Sequence, residues 1–150
     1  GVSGLLALGS AGVNAGSSIR TLALTSSVRL DAPQSWVTGS SGVTGSTQIS
    51  ASGVISGPGG LAISAVDNRG VALTGANTFA GGLTLGSGAI LDYSAAVAVV
   101  AADGGVTSSP FGTGPLTING GTLNAGSRNF FNPSVAINGD FTWSTTSTRV

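Results

Sequence analysis

The residues that could carry out acid–base chemistry are few in this sequence and lie far apart. All five acidic residues are Asp, all five basic residues are Arg, and the chain has no His, Cys, Lys or Glu. A catalytic triad, a P-loop and a thiolate metal site each need a residue type that is missing. Asp67 and Asp92, 25 positions apart, are the pair that a repeat would stack, but a turn or capping role suits every Asp. We therefore expect no catalytic residues, no metal and no cofactor, and predict that the chain is not an enzyme.

The overall composition favours β-structure and an uncharged surface. Gly accounts for 26 of the 150 residues, 7% of the residues are charged, and the net charge is zero. Strong helix formers such as Lys, Glu and Met are absent, whereas Val, Ile and Thr are abundant. A neutral chain offers no basic surface to nucleic acid, and no apolar run approaches the ~20 residues that span a bilayer. The sequence predicts one all-β domain, residues 1–150, with no nucleic-acid partner and no membrane insertion by this segment.

The elements that would position any site are short alternating runs. Apolar residues alternate with Thr or Ser over three to five positions, and Gly, Asn or Ser separates one run from the next. Such a run gives a strand with one apolar face. Clear examples are Thr21–Thr25, Leu61–Ser64, Val71–Thr74, Leu83–Leu85 and Leu116–Ile118.

Two architectures fit strands that are so short and so evenly spaced. In a β-solenoid, successive strands stack in parallel, so that Val71–Thr74 and Leu83–Leu85 would lie on neighbouring faces or coils. In a β-sandwich, the pairs Asn119-Gly120 and Asn138-Gly139 would be hairpin turns. The short strands and frequent Gly and Asn corners favour the solenoid. The stretch from Ser94 to Gly105 fits a short helix or a buried strand equally well.

Two longer runs resemble a known family. The run from Gly53 to Leu61 and the run from Val71 to Leu85, with its core Thr74-Gly75-Ala76-Asn77-Thr78-Phe79, resemble the autotransporter-associated β-strand repeat. The similarity covers about residues 20–125, and Ser64–Gly70 departs from the pattern. The resemblance implies a right-handed parallel β-helix, secretion, and a place at the surface of a Gram-negative-type bacterium. It implies no catalytic residues. It suggests a surface passenger, stalk or adhesin-like segment; the alternative is a self-assembling subunit of an extracellular filament or sheath.

The candidate site residues are structural. We expect Asn77 either to hydrogen-bond the backbone of adjacent coils, as part of an Asn ladder, or to be an exposed turn residue. A positive φ or a close contact between coils would explain several glycines, and a tight corner with positive φ is expected at Gly75. The predicted turn and ladder residues are Gly75, Asn77, Gly81, Gly82, Asn119, Gly120 and Gly121.

Aromatic residues are most concentrated near the end of the sequence. We expect an interface there, formed by Phe130, Phe131, Phe141 and Trp143. Expected partners are further copies of the chain and, if aromatic side chains line the surface, host or matrix glycans. Because the first run, Leu5–Leu8, is apolar and charges are scarce at both ends, we expect the chain to continue into further coils or to stack on other copies.

Overall fold

The described residues form strands and turns and no helix. A computed structural model describes residues 4–16, 21–39, 47–66, 68–94, 98–126, 132 and 134–145. Seventeen strands lie in these ranges. The first nine are β1 (Leu5–Leu8), β2 (Val13–Ala15), β3 (Leu22–Leu24), β4 (Ser27–Leu30), β5 (Gln34–Thr38), β6 (Thr47–Ala51), β7 (Ile55–Ser56), β8 (Leu61–Ala65) and β9 (Gly70–Leu73). The other eight are β10 (Leu83–Leu85), β11 (Ile90–Asp92), β12 (Val99–Val100), β13 (Val106–Ser108), β14 (Leu116–Ile118), β15 (Thr122–Asn124), β16 (Val135–Ile137) and β17 (Thr142–Ser144).

Three parallel sheets contain fifteen of these strands. Sheet A has the order β1-β4-β7, sheet B the order β2-β5-β8-β10-β14-β16, and sheet C the order β3-β6-β9-β11-β15-β17. The first nine strands visit sheets A, B and C in turn, three times over, and we call each such visit a pass. In the described part of the later passes, the parallel strands belong to sheets B and C. Six strands at a spacing of ~4.8 Å extend each of these two sheets over about 24 Å.

Each strand pairs in register with the equivalent strand of the next pass. In sheet B, Leu61 pairs with Leu83, Leu83 with Leu116, and Leu116 with Val135. These partners are 22, 33 and 19 positions apart, so the length of a pass varies while the register of the apolar positions is kept. The period-2 pattern explains this, because a shift by one residue would turn every apolar side chain outwards.

The core is a single cluster of buried side chains drawn from all three sheets. Leu30 of sheet A, Trp36 and Ile63 of sheet B, and Ile49 and Val71 of sheet C all belong to it. The alternating residue types place these side chains inside, while the described Thr and Ser residues of the strands, Thr38 apart, face outwards or are half-buried. Burial of each large aliphatic side chain stabilises the fold by about 1.5–3 kcal/mol.

A hairpin accounts for the longest pass. β12 and β13 pair antiparallel, and they lie between β11 and β14 in the sequence. The Ala101 N–H donates to the Gly105 carbonyl across their turn, at 2.7 Å, and the Gly105 N–H donates to Asp103 Oδ1 at 2.9 Å. The helix considered for Ser94–Gly105 is therefore wrong over its described part, because a carboxylate closes a tight turn there and the two valines before it form a strand. The burial expected for such a strand is also wrong, since Val99 is 53% and Val100 38% exposed.

The topology confirms the parallel stacking predicted from the sequence. β9 and β10, which contain most of Val71–Thr74 and all of Leu83–Leu85, lie in different sheets and do not form a hairpin. The hairpin interpretation of the two Asn-Gly pairs is wrong. Asn119-Gly120 connects sheet B to sheet C, and Asn138-Gly139 makes the same connection one pass later.

Candidate functional site

The side chain of Asn77 makes hydrogen bonds on two sides, and the residue lies where sheet A would continue beyond β7. It is fully buried. Its Oδ1 accepts a hydrogen bond from the Ile55 N–H at 2.8 Å, and its Nδ2 donates to the Pro110 carbonyl at 2.9 Å. These partners precede it by 22 residues and follow it by 33, so one side chain joins three successive passes. Asn77 does not form a ladder with other Asn side chains, because the groups on either side of it are backbone.

The backbone around Asn77 explains why a side chain is needed there. Asn77 and Ser109 exchange two backbone hydrogen bonds of 3.1 and 3.0 Å in an isolated antiparallel bridge. The Thr78 N–H donates to the Ile55 carbonyl at 2.8 Å, which continues the stacking without a regular strand. The Ile55 N–H has no strand opposite it, and the Asn77 amide takes the place of the missing carbonyl.

Ser109 is a buried partner that the sequence did not indicate. Its hydroxyl donates to the Gly112 carbonyl at 2.6 Å and accepts from the Phe111 N–H at 3.0 Å. It closes the turn that follows the hairpin. Nothing in the sequence distinguishes Ser109 from its neighbour Ser108, which is the last residue of β13.

The predicted corner glycines divide into two classes. Gly82, Gly120 and Gly121 have φ values of 84°, 140° and 86°, which L side chains rarely adopt. Gly75 and Gly81 do not have a positive φ, so the positive φ predicted for Gly75 is wrong. At these two positions the preceding pass lies so close that a Cβ would clash with its backbone, the Gly53 carbonyl oxygen in the case of Gly75.

The corner between sheets B and C carries a ladder of two exposed asparagines. Asn138 Nδ2 donates to Asn119 Oδ1 at 3.0 Å. The two residues directly follow β14 and β16, whose register stacks Ile118 on Ile137. A predicted turn residue, Asn119, thus takes part in the kind of ladder that had been considered for Asn77.

A second polar ladder lies in sheet C and is buried. Asp92 and Asn124 are register partners in β11 and β15, and Asn124 Nδ2 donates to Asp92 Oδ2 at 3.2 Å. The Ser94 N–H donates to Asp92 Oδ1 at 2.9 Å, a turn-capping contact. The partner of Asp92 on the other side is Ala72. Among described residues, therefore, no second carboxylate is stacked on Asp92; the expected stacking partner, Asp67, lies outside them.

Tyr93 adjoins this ladder and points into the core. Its ring packs edge-on against Phe111 at a centroid distance of 4.8 Å and against Trp143 at 6.3 Å. Burial raises the pKa of Tyr93 to about 12, because the phenolate would lose its hydration. An acid of such weakness is protonated at neutral pH and supplies no base.

The structure describes two of the four aromatic residues predicted to form an interface. Phe141 is half-buried and packs against the core, and Trp143 is 44% exposed. Phe130 and Phe131 lie outside the described residues. Trp143 occupies the same inward column as Leu123, its register partner, so it belongs to the stack of core positions.

Two glutamines are buried that the sequence did not indicate as structural residues. Gln48 Nε2 donates to the Gly16 carbonyl at 3.0 Å, and its Oε1 accepts from the Gly39 N–H at 2.8 Å, so it ties together loops of different passes. Gln34 faces inwards on β5, and neither of its amide atoms has a hydrogen-bond partner. A bulge in the pairing of β6 with β9 accommodates Gln48. The alternating pattern of the sequence does not indicate this bulge.

Where the structure describes the surface, the groove over the turns before β8 and β10 has no ionisable side chain in its lining. The groove has a volume of about 250 Å³, and its described lining includes Pro33, Gln34, Pro58, Gly81 and Thr84. In the described ranges no three Asp side chains come together as metal ligands would. Those ranges also hold no helix of the length and hydrophobicity that crossing a bilayer requires. Comparison of the chain with protein-family models, with curated proteins and with solved structures finds no match.

Proposed function

We propose that the chain is a segment of a non-enzymatic, extracellular β-solenoid that serves as a structural stalk or surface passenger. One observation carries the proposal: every pass visits sheet B and then sheet C, and each inner strand of these two sheets pairs in parallel with strands one pass before and one pass after it. In such a stack every pass is supported by its neighbours alone, so its length can change by whole passes. This is the property that a spacer needs.

The finer identification is a right-handed parallel β-helix of the autotransporter-associated repeat type, with an adhesin-like or purely structural role. It is supported by the residues that resemble the repeat, from Gly53 to Leu85. The pass that begins in this region at Leu61 is 22 residues long, since Leu61 and Leu83 are register partners. An extracellular location at the surface of a Gram-negative-type bacterium is part of the same proposal, and so are glycan partners.

The interior supports a structural role over a catalytic one. Two buried polar side chains, Asn77 and Gln48, bind backbone groups of neighbouring passes. The hydrogen bonds of these side chains hold neighbouring passes together. A β-helix enzyme would direct such groups towards a groove.

Insertion of whole passes tests the proposal. Because Leu61 and Leu83 are register partners, residues 61–82 constitute one pass. Three tandem copies of 61–82 inserted after Gly82 should lengthen the particle by ~14 Å in small-angle scattering without widening it. The matched control is an insertion of 61–71, half a pass, which should unfold the chain or lower its melting temperature sharply. A particle that widens, or equal tolerance of both insertions, would contradict the solenoid.

A second candidate function, a self-assembling subunit of a filament or sheath, is favoured by the core positions that β16 and β17 leave uncovered. Ile137 is 60% exposed and Trp143 is 44% exposed, although both lie in inward columns. Further passes or a second copy would cover them equally well. Light scattering distinguishes the two: filament formation requires growth at micromolar concentration, promoted by salt, whereas a stable monomer over days excludes it.

A further inference from the structure

The two stacked corners between sheets B and C have a chemical property beyond their structural role. Each corner is an Asn followed by a Gly, at 119–120 and at 138–139. Both Asn side chains are exposed, and both corners connect rigid strands of the same two sheets. They differ in hydrogen bonding, because Asn138 Nδ2 donates to Asn119 Oδ1 at 3.0 Å.

The fold requires the glycines at these corners. Gly120 has a φ of 140°, and a Cβ there would lie 3.2 Å from Ser87 Cα. A Cβ at Gly139 would lie 2.6 Å from the Asn119 carbonyl oxygen. Gly120 is buried and Gly139 half-buried, but neither carries a side chain that would block the approach of its backbone nitrogen to Cγ of the preceding Asn.

We propose that Asn119 is a site of spontaneous deamidation, and that Asn138 promotes the reaction. The backbone nitrogen of Gly120 attacks Cγ of Asn119 and loses its proton to solvent. The new C–N bond closes a five-membered succinimide, and the side-chain nitrogen leaves as ammonia. Water then opens the ring at either carbonyl and gives aspartate or isoaspartate. Water is the one co-reactant, and no oxidation or reduction takes place.

The hydrogen bond from Asn138 is placed to stabilise the transition state. As the Gly120 nitrogen attacks, negative charge develops on Asn119 Oδ1, the atom that accepts from Asn138 Nδ2. A donor that already points at a developing oxyanion lowers the barrier. Within the described residues the Gly120 N–H donates no backbone hydrogen bond, so attack breaks none.

The same argument makes the two sites unequal. Among described residues, Asn138 Oδ1 accepts no hydrogen bond, so attack by Gly139 on Asn138 lacks the donor that Asn119 has. The aspartate formed at position 119 also keeps an acceptor for Asn138. The stack already contains such a pair, with Asn124 Nδ2 donating to Asp92 Oδ2. Formation of aspartate at 119 changes the net charge from 0 to −1 without removing a ladder contact.

The test compares the two sites within the full chain. The chain is incubated at mildly alkaline pH, folded and in urea, and peptide mapping by mass spectrometry measures aspartate plus isoaspartate at 119 and 138. In urea the chain is unfolded, so the rate measured there gives the contribution of the local sequence to deamidation at each site. At each site we take the ratio of the deamidation rate in the folded chain to the rate in urea. This ratio should be about fivefold greater at 119 than at 138, the factor expected for one neutral hydrogen bond.

Substitution of Asn138 tests the contribution of the hydrogen bond that it donates to Asn119. Asn138→Asp is isosteric and removes the donated hydrogen bond, so it should slow reaction at 119 by at least the same factor. Asn14→Ala, an exposed Asn on β2, should leave the rate unchanged. An equal retained fraction at the two sites, or faster reaction at 119 in Asn138→Asp, would show that the ladder protects Asn119 and would overturn the proposal. If Asn138→Asp fails to fold, the comparison of the two wild-type sites decides.

Discussion

Replacement of Asn77 by Ala removes the side chain that joins three passes. Two buried backbone groups lose their partners: the Ile55 N–H, now bonded at 2.8 Å, and the Pro110 carbonyl, bonded at 2.9 Å. A buried group left without a hydrogen bond costs about 1–3 kcal/mol, so Asn77→Ala should lower the free energy of unfolding by about 2–6 kcal/mol. For a chain of this length that corresponds to a fall in melting temperature of roughly 5–20 °C.

Thermal and urea unfolding followed by circular dichroism measure this change. Asn14→Ala is the control, because Asn14 is an exposed Asn on β2. Asn77→Asp should also destabilise the fold, since a carboxylate would face the Pro110 carbonyl. If Asn77→Ala unfolds within ~0.5 kcal/mol of the control, the range expected of a plain surface substitution, the three-pass junction does not exist as described.

Three further predictions concern a glycine, a buried amide and the tyrosine. Gly75→Ala should destabilise by on the order of 1–3 kcal/mol because its Cβ meets the Gly53 carbonyl oxygen, whereas Gly16→Ala, with open space around it, should be nearly neutral in the same unfolding assay. Gln34→Leu should raise the melting temperature, because its amide atoms lack partners and its strand neighbour at that position is Leu61; a lower melting temperature would mean that buried water satisfies the amide. Tyr93, the single tyrosine, should ionise with a midpoint near pH 12 in the folded chain, measured by phenolate absorbance. Since the unfolded chain ionises near pH 10, stability should be constant below that pH and fall between about 10 and 12, and a folded midpoint of 10 would refute the burial of the phenol.

The parallel stacking was predictable from the sequence because it depends on a local pattern. Runs such as Leu61–Ser64 and Leu83–Leu85 alternate with period 2, and glycine or asparagine separates them, so strand positions and inward faces follow directly. The spacing of 22 between Leu61 and Leu83 then fixes which runs stack. Here local propensity and long-range register agree.

The site was less predictable because it depends on departures from the repeat. The hairpin of β12 and β13 lengthens one pass, and its position decides that Ser109 and Pro110 meet Asn77. The step of 19 between β14 and β16 decides that Asn119 meets Asn138. Neither the hairpin nor the 19-residue spacing can be inferred from the residue types at the corners. The close contact at Gly75 arises for the same reason, from the position of a neighbouring pass and not from a local turn.

Crosslinking of introduced cysteines tests the parallel, in-register stacking most directly. The chain has no cysteine, so pairs can be added without background. Ala62 and Thr84 are register partners, and so are Thr84 and Thr117, although 22 residues separate the first pair and 33 the second. Partners on adjacent strands lie ~4.8 Å apart, and Ala62 and Thr117, two strands apart, lie at about 9.6 Å. With a short thiol crosslinker, the account predicts efficient crosslinking of the 62–84 and 84–117 pairs and little of the 62–117 pair. Failure of the 84–117 pair, or equal crosslinking of all three, would contradict it.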